Sequence, residues 1–218
     1  VSYTTPVGTD NAPGSTTTQI AGLPSGSTFP LGTTTNTFEV TDASGNTSTC
    51  SFDVVISDDE APTASNPSAT NVECSADVPS VDITVVTDES DNCTGSPTVA
   101  FVSESTDGGS NPETTTRTYS VTDAAGNSIT VTHTIVINDV SDPVITSCPT
   151  NITQDTDASA STAVVTYTVP AFTDNCGATI NQTAGQASGT AFPIGTTTNT
   201  FEVTDGAGNT ATCSFDVT

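Results

Sequence analysis

Short apolar runs of strand length alternate with polar turns along the chain. Thr-Phe-Glu-Val-Thr (37–41), Cys-Ser-Phe-Asp-Val-Val-Ile (50–56), Val-Asp-Ile-Thr-Val-Val (81–86) and Thr-His-Thr-Ile-Val-Ile (132–137) alternate or run apolar. A period of two puts one face of a pleated strand on a core. Val1-Ser2-Tyr3-Thr4 also reads as strand, so the chain reads as a mature or excised fragment. Gly, Pro, Asn and Asp clusters punctuate the runs about every ten residues, the spacing of a β-sandwich. Helical periodicity is absent, and Leu, Met, Lys and Arg, the good helix formers, are nearly missing. Threonine supplies roughly a fifth of the residues, and with valine it favours pleated, half-buried strands. The pattern predicts an all-β, folded chain.

An internal repeat sets the organisation. Gly32 through Asp42 recurs letter for letter as Gly195 through Asp205, and Thr49-Cys-Ser-Phe-Asp-Val54 recurs as Thr212 through Val217. Phe29-Pro30 matches Phe192-Pro193, and Thr9-Asp-Asn11 matches Thr173-Asp-Asn175. A more distant copy lies between, with Tyr119-Ser-Val-Thr-Asp-Ala-Ala-Gly-Asn127. Three units follow: 1–57, which lacks its first strand, 58–139 and 140–218. Acidic, proline-bearing joints, Ser57-Asp-Asp-Glu-Ala-Pro62 and Asn138-Asp-Val-Ser-Asp-Pro143, separate them. Such short joints imply domains arranged end to end as a rod rather than on flexible tethers. By alternation Phe38, Val40, Phe52, Tyr119, Val121, Phe201, Val203 and Phe215 are core. His133 takes the position of Phe215 and is expected in or near the core. Arg117 takes that of Asn36 and Asn199 and is expected at the surface beside a carboxylate. The Thr-Thr-Thr-Asn-Thr runs (33–37, 196–200) read as polar strand faces.

Charge narrows the function. With 25 acidic residues against one arginine and no lysine, the formal charge is −24. No basic patch can displace counterions from nucleic acid or bind an anionic membrane. No apolar stretch is long enough for membrane insertion as a helix. One histidine and no lysine leave little for general acid–base or nucleophilic chemistry, so an enzyme is not expected. Four Asn-x-Ser/Thr triplets, at Asn46, Asn92, Asn151 and Asn181, are what so threonine-rich a chain carries by chance.

Ser147-Cys-Pro149, Thr-Asp-Asn-Cys (173–176), Phe-Pro-Ile-Gly-Thr-Thr-Thr-Asn-Thr-Phe (192–201), Val-Thr-Asp-x-x-Gly-Asn and the final Thr-Cys-Ser-Phe-Asp-Val resemble the hyalin repeat, or HYR, domain. The resemblance covers 143–218 fully and 1–57 as a fragment. The middle unit is similar to a related immunoglobulin-like repeat of giant bacterial surface proteins, including adhesins of gliding bacteria secreted by the type IX system. The resemblance implies three tandem immunoglobulin-like β-sandwich domains in a cell-surface adhesive filament. Six cysteines agree with an oxidising, extracellular compartment. First and last strands neighbour each other in such a sandwich, which pairs Cys148 with Cys213, as the resemblance also implies. Cys74 is paired with Cys93. Cys50 lacks its partner, and Cys176 is left over as a buried free thiol; Cys148 with Cys176 is the competing pairing.

In this fold the B–C and F–G turns share a pole with the incoming linker. Asn138, Asp139 and Asp142 of the joint, Asp174 and Asn175 of B–C and Asp205 of F–G are therefore candidate ligands of one oxygen cage. The middle unit offers Asp58, Asp59 and Glu60, then Asp88, Asp91 and Asn92, then Asp123. Six to eight hard oxygen donors suit Ca²⁺. The plainer reading is turn chemistry, since Asp and Asn cap tight turns. Convergence at two joints favours calcium. The leading expectation is a structural repeat segment of a secreted, calcium-stiffened adhesin, whose partners are calcium ions, adjacent domains of a longer array and other copies in a filament. A ligand- or glycan-binding module would need an exposed aromatic patch on one unit. Accessory repeats of an extracellular enzyme would need a catalytic domain beside them.

Overall fold

The structure, a computed structural model, describes residues 1–93 and 95–218; Thr94, which completes the triplet at Asn92, lies outside the described residues. The described residues are all-β apart from two 3₁₀ turns, at Ser75–Asp77 and Ile83–Val85. It packs as two compact units. One comprises Val1–Pro62, Ser90–Pro97 and Thr122–Ser128, and the other Thr63–Glu89, Thr98–Val121 and Ile129–Thr218. Among the described residues no helix is long and apolar enough to cross a membrane.

The first unit holds β1 (Thr16–Ala21), β2 (Gly32–Thr41) and β3 (Thr47–Ile56) in an antiparallel sheet of that order. The β2–β3 ladder runs unbroken from Gly32↔Ile56 to Thr41↔Thr47. Tyr3 lies edge-on to Phe29, Phe38 and Phe52 over this sheet, an arrangement favoured by the ring quadrupole. Residues 1–4 are not a strand. The Ser25 hydroxyl takes the Tyr3 N–H at 2.9 Å and donates to its carbonyl at 2.7 Å, so a side chain replaces the ladder partner.

The second unit holds a four-stranded sheet of order β4-β7-β6-β5, from β4 (Thr70–Val72), β5 (Thr98–Thr106), β6 (Glu113–Thr122) and β7 (Ser128–Ile137). Thr122–Ser128, which link β6 to β7, are counted with the first unit. β4 runs parallel to β7, with Val72 opposite Ile137. The expected strand at 81–86 is instead a 3₁₀ turn, because Asp82 accepts the Thr84 N–H at 2.8 Å and diverts the backbone from a ladder. The remaining strands are β8 (Val144–Ser147), β9 (Thr162–Val165), β10 (Ala171–Thr173), β11 (Ala178–Ala184), β12 (Thr190–Pro193), β13 (Thr197–Asp205) and β14 (Thr210–Val217). β11, β13 and β14 form a sheet, and β8 pairs β10 as β9 pairs β12. Ala163, Val165, Phe192, Phe201, Phe215 and Val217 make one core. Val86, Tyr119, Val121 and Val131 make another.

Buried polar residues brace these sheets, against the expectation of polar faces. Asn36 and Asn199 are fully buried. Asn199 Oδ1 accepts from Gln182 Nε2 and the Gln186 N–H, just as Asn36 Oδ1 accepts from Gln19 and Leu23. Arg117, in the corresponding place, is likewise buried rather than at the surface. Its guanidinium donates to the carbonyls of Pro79 and Ser80 as well as to Glu104, so its length serves the interior. His133 is buried and bonds Thr70 through Nε2. Burial first, then the nearby Arg117 charge, holds its pKa below the usual value.

Two disulfides form: Cys148–Cys213 and Cys74–Cys176. The second corrects the expected pairing of Cys74 with Cys93 and the expectation that Cys176 is free. β4 delivers Cys74 to the Ile137 end of β7, where Asn138 donates to the Val72 carbonyl. That end carries the 174–176 turn, and the Cys74 and Cys176 Cα atoms stand 5.2 Å apart. Cys93 belongs to a turn packed within the first unit, and it and Cys50 remain free thiols.

Candidate metal centre

The turn after β13 builds around one carboxylate. Asp205 Oδ1 accepts the N–H groups of Ala207, Gly208 and Asn209 at 2.7–2.8 Å, and its Oδ2 accepts from Asn209 Nδ2 at 2.8 Å. Gly208 makes this closure possible with φ at +94°. Burial opposes ionisation of Asp205. The Asn209 side chain and the three N–H groups outweigh it and hold the pKa below the ordinary carboxylate value. Asp123 and Asp42 organise the corresponding turns the same way, through Asn127 and Asn46.

From this pole the second unit assembles an acidic cluster. Carboxylate oxygens of Asp139, Asp174 and Asp205 lie within 4.8 Å of one another, with Asp139 and Asp205 buried. Asn111 fixes the joint backbone: its Oδ1 accepts the Asp139 N–H at 2.8 Å and its Nδ2 donates to the Asp139 carbonyl at 3.0 Å. Asn209 Nδ2 reaches the carbonyls of Asp139 and Ser141. Asp174 Oδ2 caps its own turn by accepting the Cys176 N–H. Asp174 Oδ1 is buried and has no hydrogen-bond partner. Glu73 accepts from Asn175 at 2.6 Å and from Ser141 at 2.8 Å. Of the expected residues, Asp142 is exposed and stands outside the carboxylate cluster, and Asn138 is exposed.

A second cluster belongs to the first unit. Asp58, Asp91 and Cys93 each present a ligand atom within 4.8 Å of the others. Asp91 Oδ2 accepts the Cys93 N–H, whereas Asp91 Oδ1 is buried without a partner. Asn127 donates to the Asp58 carbonyl at 3.1 Å, and Asn92 donates to Glu60. The Cys93 thiol pKa is raised, first by its hydrogen bond to Asp58, then by burial and by the charges of Asp58, Asp91 and Glu60. Asp123 organises its turn just as Asp205 does, but it is not part of this group. Asp88 accepts the Ser65 N–H instead, and Asp59 is exposed.

An orphaned buried carboxylate oxygen is costly, and close carboxylates without a counter-charge repel one another. A cation removes both penalties. Ligand oxygens across one Ca²⁺ stand up to about 5 Å apart, twice the metal–oxygen distance. The Asp139–Asp174–Asp205 spacing falls inside that limit.

The HYR domain matches residues 1–56 and 138–218, more than half of the chain. The chain is 34% identical to hyalin of Strongylocentrotus purpuratus over 224 aligned residues, covering the whole chain and 19% of hyalin. It therefore spans about a fifth of that relative. Among solved structures, the protocadherin gammaB4 extracellular domain aligns at 16% identity with a TM-score of 0.33, covering 85% of this chain and 39% of that one. The human desmocollin-1 ectodomain aligns at 10% identity and 0.32, covering 93% and 53%.

Proposed function

Starting from a chain that belongs to the HYR domain family, we propose that it is a structural segment of a secreted cell-surface adhesin, with Ca²⁺ bound at the joint before residue 143. The observation that carries the calcium is the buried, unpartnered Asp174 Oδ1 inside the Asp139–Asp174–Asp205 group. Those three carboxylates, with Asn175, Glu73 and the joint carbonyls around them, are hard donors of the kind calcium takes. Asp205 is already held by its turn, which keeps its pKa below the ordinary carboxylate value, so ion binding meets a preformed ligand. The bound ion would lock the joint to the 174–176 and 205–209 turns and stiffen the repeat array, read as units 1–57, 58–139 and 140–218.

Two disulfides support an extracellular setting, and the acidic, lysine-free surface keeps neighbouring chains soluble and apart. The finer reading, an adhesin of gliding bacteria exported by the type IX system, rests on motif resemblance. We propose no catalytic role: the acidic groups recur at corresponding turns, as a structural device would.

Thermal unfolding tests the calcium. Extracellular modules bind calcium at about 10⁻⁴–10⁻³ M. An ion at about 100 times its dissociation constant adds about 2.7 kcal/mol, which raises the melting temperature on the order of 10 °C for a domain of this size. The rise should be reversed by chelator and absent in Asp174→Asn. A melting temperature indifferent to millimolar calcium would end the proposal.

A further inference from the structure

The turn Asp-Asn-Cys occurs at both acidic clusters, at 91–93 and at 174–176, but the sulfur has different fates. Cys176 is consumed in the bond to Cys74, which leaves its cluster only oxygen donors. Cys93 is a free thiol, its sulfur within 4.8 Å of ligand atoms of both Asp58 and Asp91. A second observation marks the same place as a ligand site. Asp91 Oδ1 is buried and unpartnered, although the other oxygen of that carboxylate caps the turn. A cavity of about 360 Å³, walled by Leu31, Ile56, Asp58, Cys93 and Ala125, leads to the thiol.

We propose that Asp58, Asp91 and Cys93 form a binding site for a thiophilic divalent cation of the Zn²⁺ class, distinct in metal preference from the all-oxygen cluster. One thiolate and two carboxylates match zinc's ligand set, three protein groups with a water completing the tetrahedron. Sulfur is a poor ligand for calcium, whereas Zn²⁺ and Cd²⁺ accept thiolate and carboxylate together. Binding forms a metal–sulfur bond and releases the Cys93 thiol proton to solvent. The chain thus carries a hard site and a softer site, sorted by whether the turn cysteine is oxidised. The inference shares with the calcium reading only the idea that these clusters hold cations, and it survives if that reading fails.

The test uses Cd²⁺ as probe on the full chain carrying Cys50→Ser, which removes the other free thiol. A thiolate-to-cadmium charge-transfer band should appear, saturating at one ion per chain. Zn²⁺ should displace it and millimolar Ca²⁺ should not. Cys93→Ser should abolish the band, and Asp91→Asn should weaken zinc binding at least about tenfold, with both variants melting cooperatively as folded proteins. No band in the folded Cys50→Ser chain, or a band unchanged in Asp91→Asn, overturns the site. A missing band beside an intact calcium-dependent melting shift sinks this inference alone, and the reverse pattern sinks calcium alone.

Discussion

Cleaved after Arg117 and unfolded without reductant, the chain should remain one covalent species; with reductant it should fall into two. Arg117 is the only lysine or arginine, so trypsin has one site. It is 5% exposed, so cleavage needs denaturant. The cut falls between Cys74 and Cys176, whereas Cys148–Cys213 lies wholly on its C-terminal side. A Cys74–Cys93 or Cys148–Cys176 bridge would sit within one fragment, and the halves would separate in either lane. Alkylating Cys50 and Cys93 before unfolding keeps thiol exchange from reshuffling the bonds. The expected outcome has an energetic counterpart, since removing a native bridge typically costs about 2–5 kcal/mol. Cys74→Ser should show that loss. The bond also serves the acidic cluster: it ties Cys74, next to Glu73, to the turn whose Asn175 bonds Glu73 and whose Asp174 carries the orphaned oxygen.

Gly185→Ala should be among the most damaging single substitutions in the C-terminal sheet. β11 slips register between Gln182 and Ala184, and Gly185 follows with φ at +87°. An added Cβ would stand 2.2 Å from Asn199 Oδ1 and 2.7 Å from the Asn199 Cα, a fixed backbone atom. Left-handed backbone costs a non-glycine residue about 1–2 kcal/mol, and overpacking adds about 1–3 kcal/mol. Disturbing Asn199 also endangers its bonds to Gln182 and Gln186. Gly208→Ala is the control. It has a similar φ of +94° but open space around it, so it should pay the conformational part alone. Urea midpoints of the two variants measure the difference. Equal midpoints would show that Asn199 is not the constraint. Gly22 stands against Asn36 in the same way, so the brace occurs twice.

Much of this was legible in the sequence because it is local and repeated. The identical stretches Gly32–Asp42 and Gly195–Asp205 became β2 and β13, with Phe38 and Phe201 buried alike. The Asp-x-x-Gly-Asn turns read as turns, and the fold implied by the sequence puts Asp139, Asp174 and Asp205 at one pole, where their carboxylates lie within 4.8 Å of one another. What escaped depends on long-range pairing. β4 is three residues long and runs parallel to β7, too short to show a period, and its register decides where Cys74 points. Glu73 and Asn111 bond the residues around the cluster from distant segments, and no motif flags either one. Residues 81–86 carry a strand-like apolar pattern, yet the Asp82 side chain supplies a local bond that the pattern omits. Asn36, Asn199 and Arg117 look like surface residues because they are polar; each is buried with hydrogen-bond partners that appear only once the sheets are formed.

Equilibrium dialysis against calcium tests the central claim most directly, because it reads occupancy rather than stability. The wild-type chain should retain calcium at millimolar free ion, and Asp174→Asn, which keeps the shape of the turn but removes the charge, should retain one ion fewer per chain. Equal retention by the two proteins, or no retention by either, would contradict calcium at Asp139, Asp174 and Asp205 and leave those residues as turn and joint chemistry.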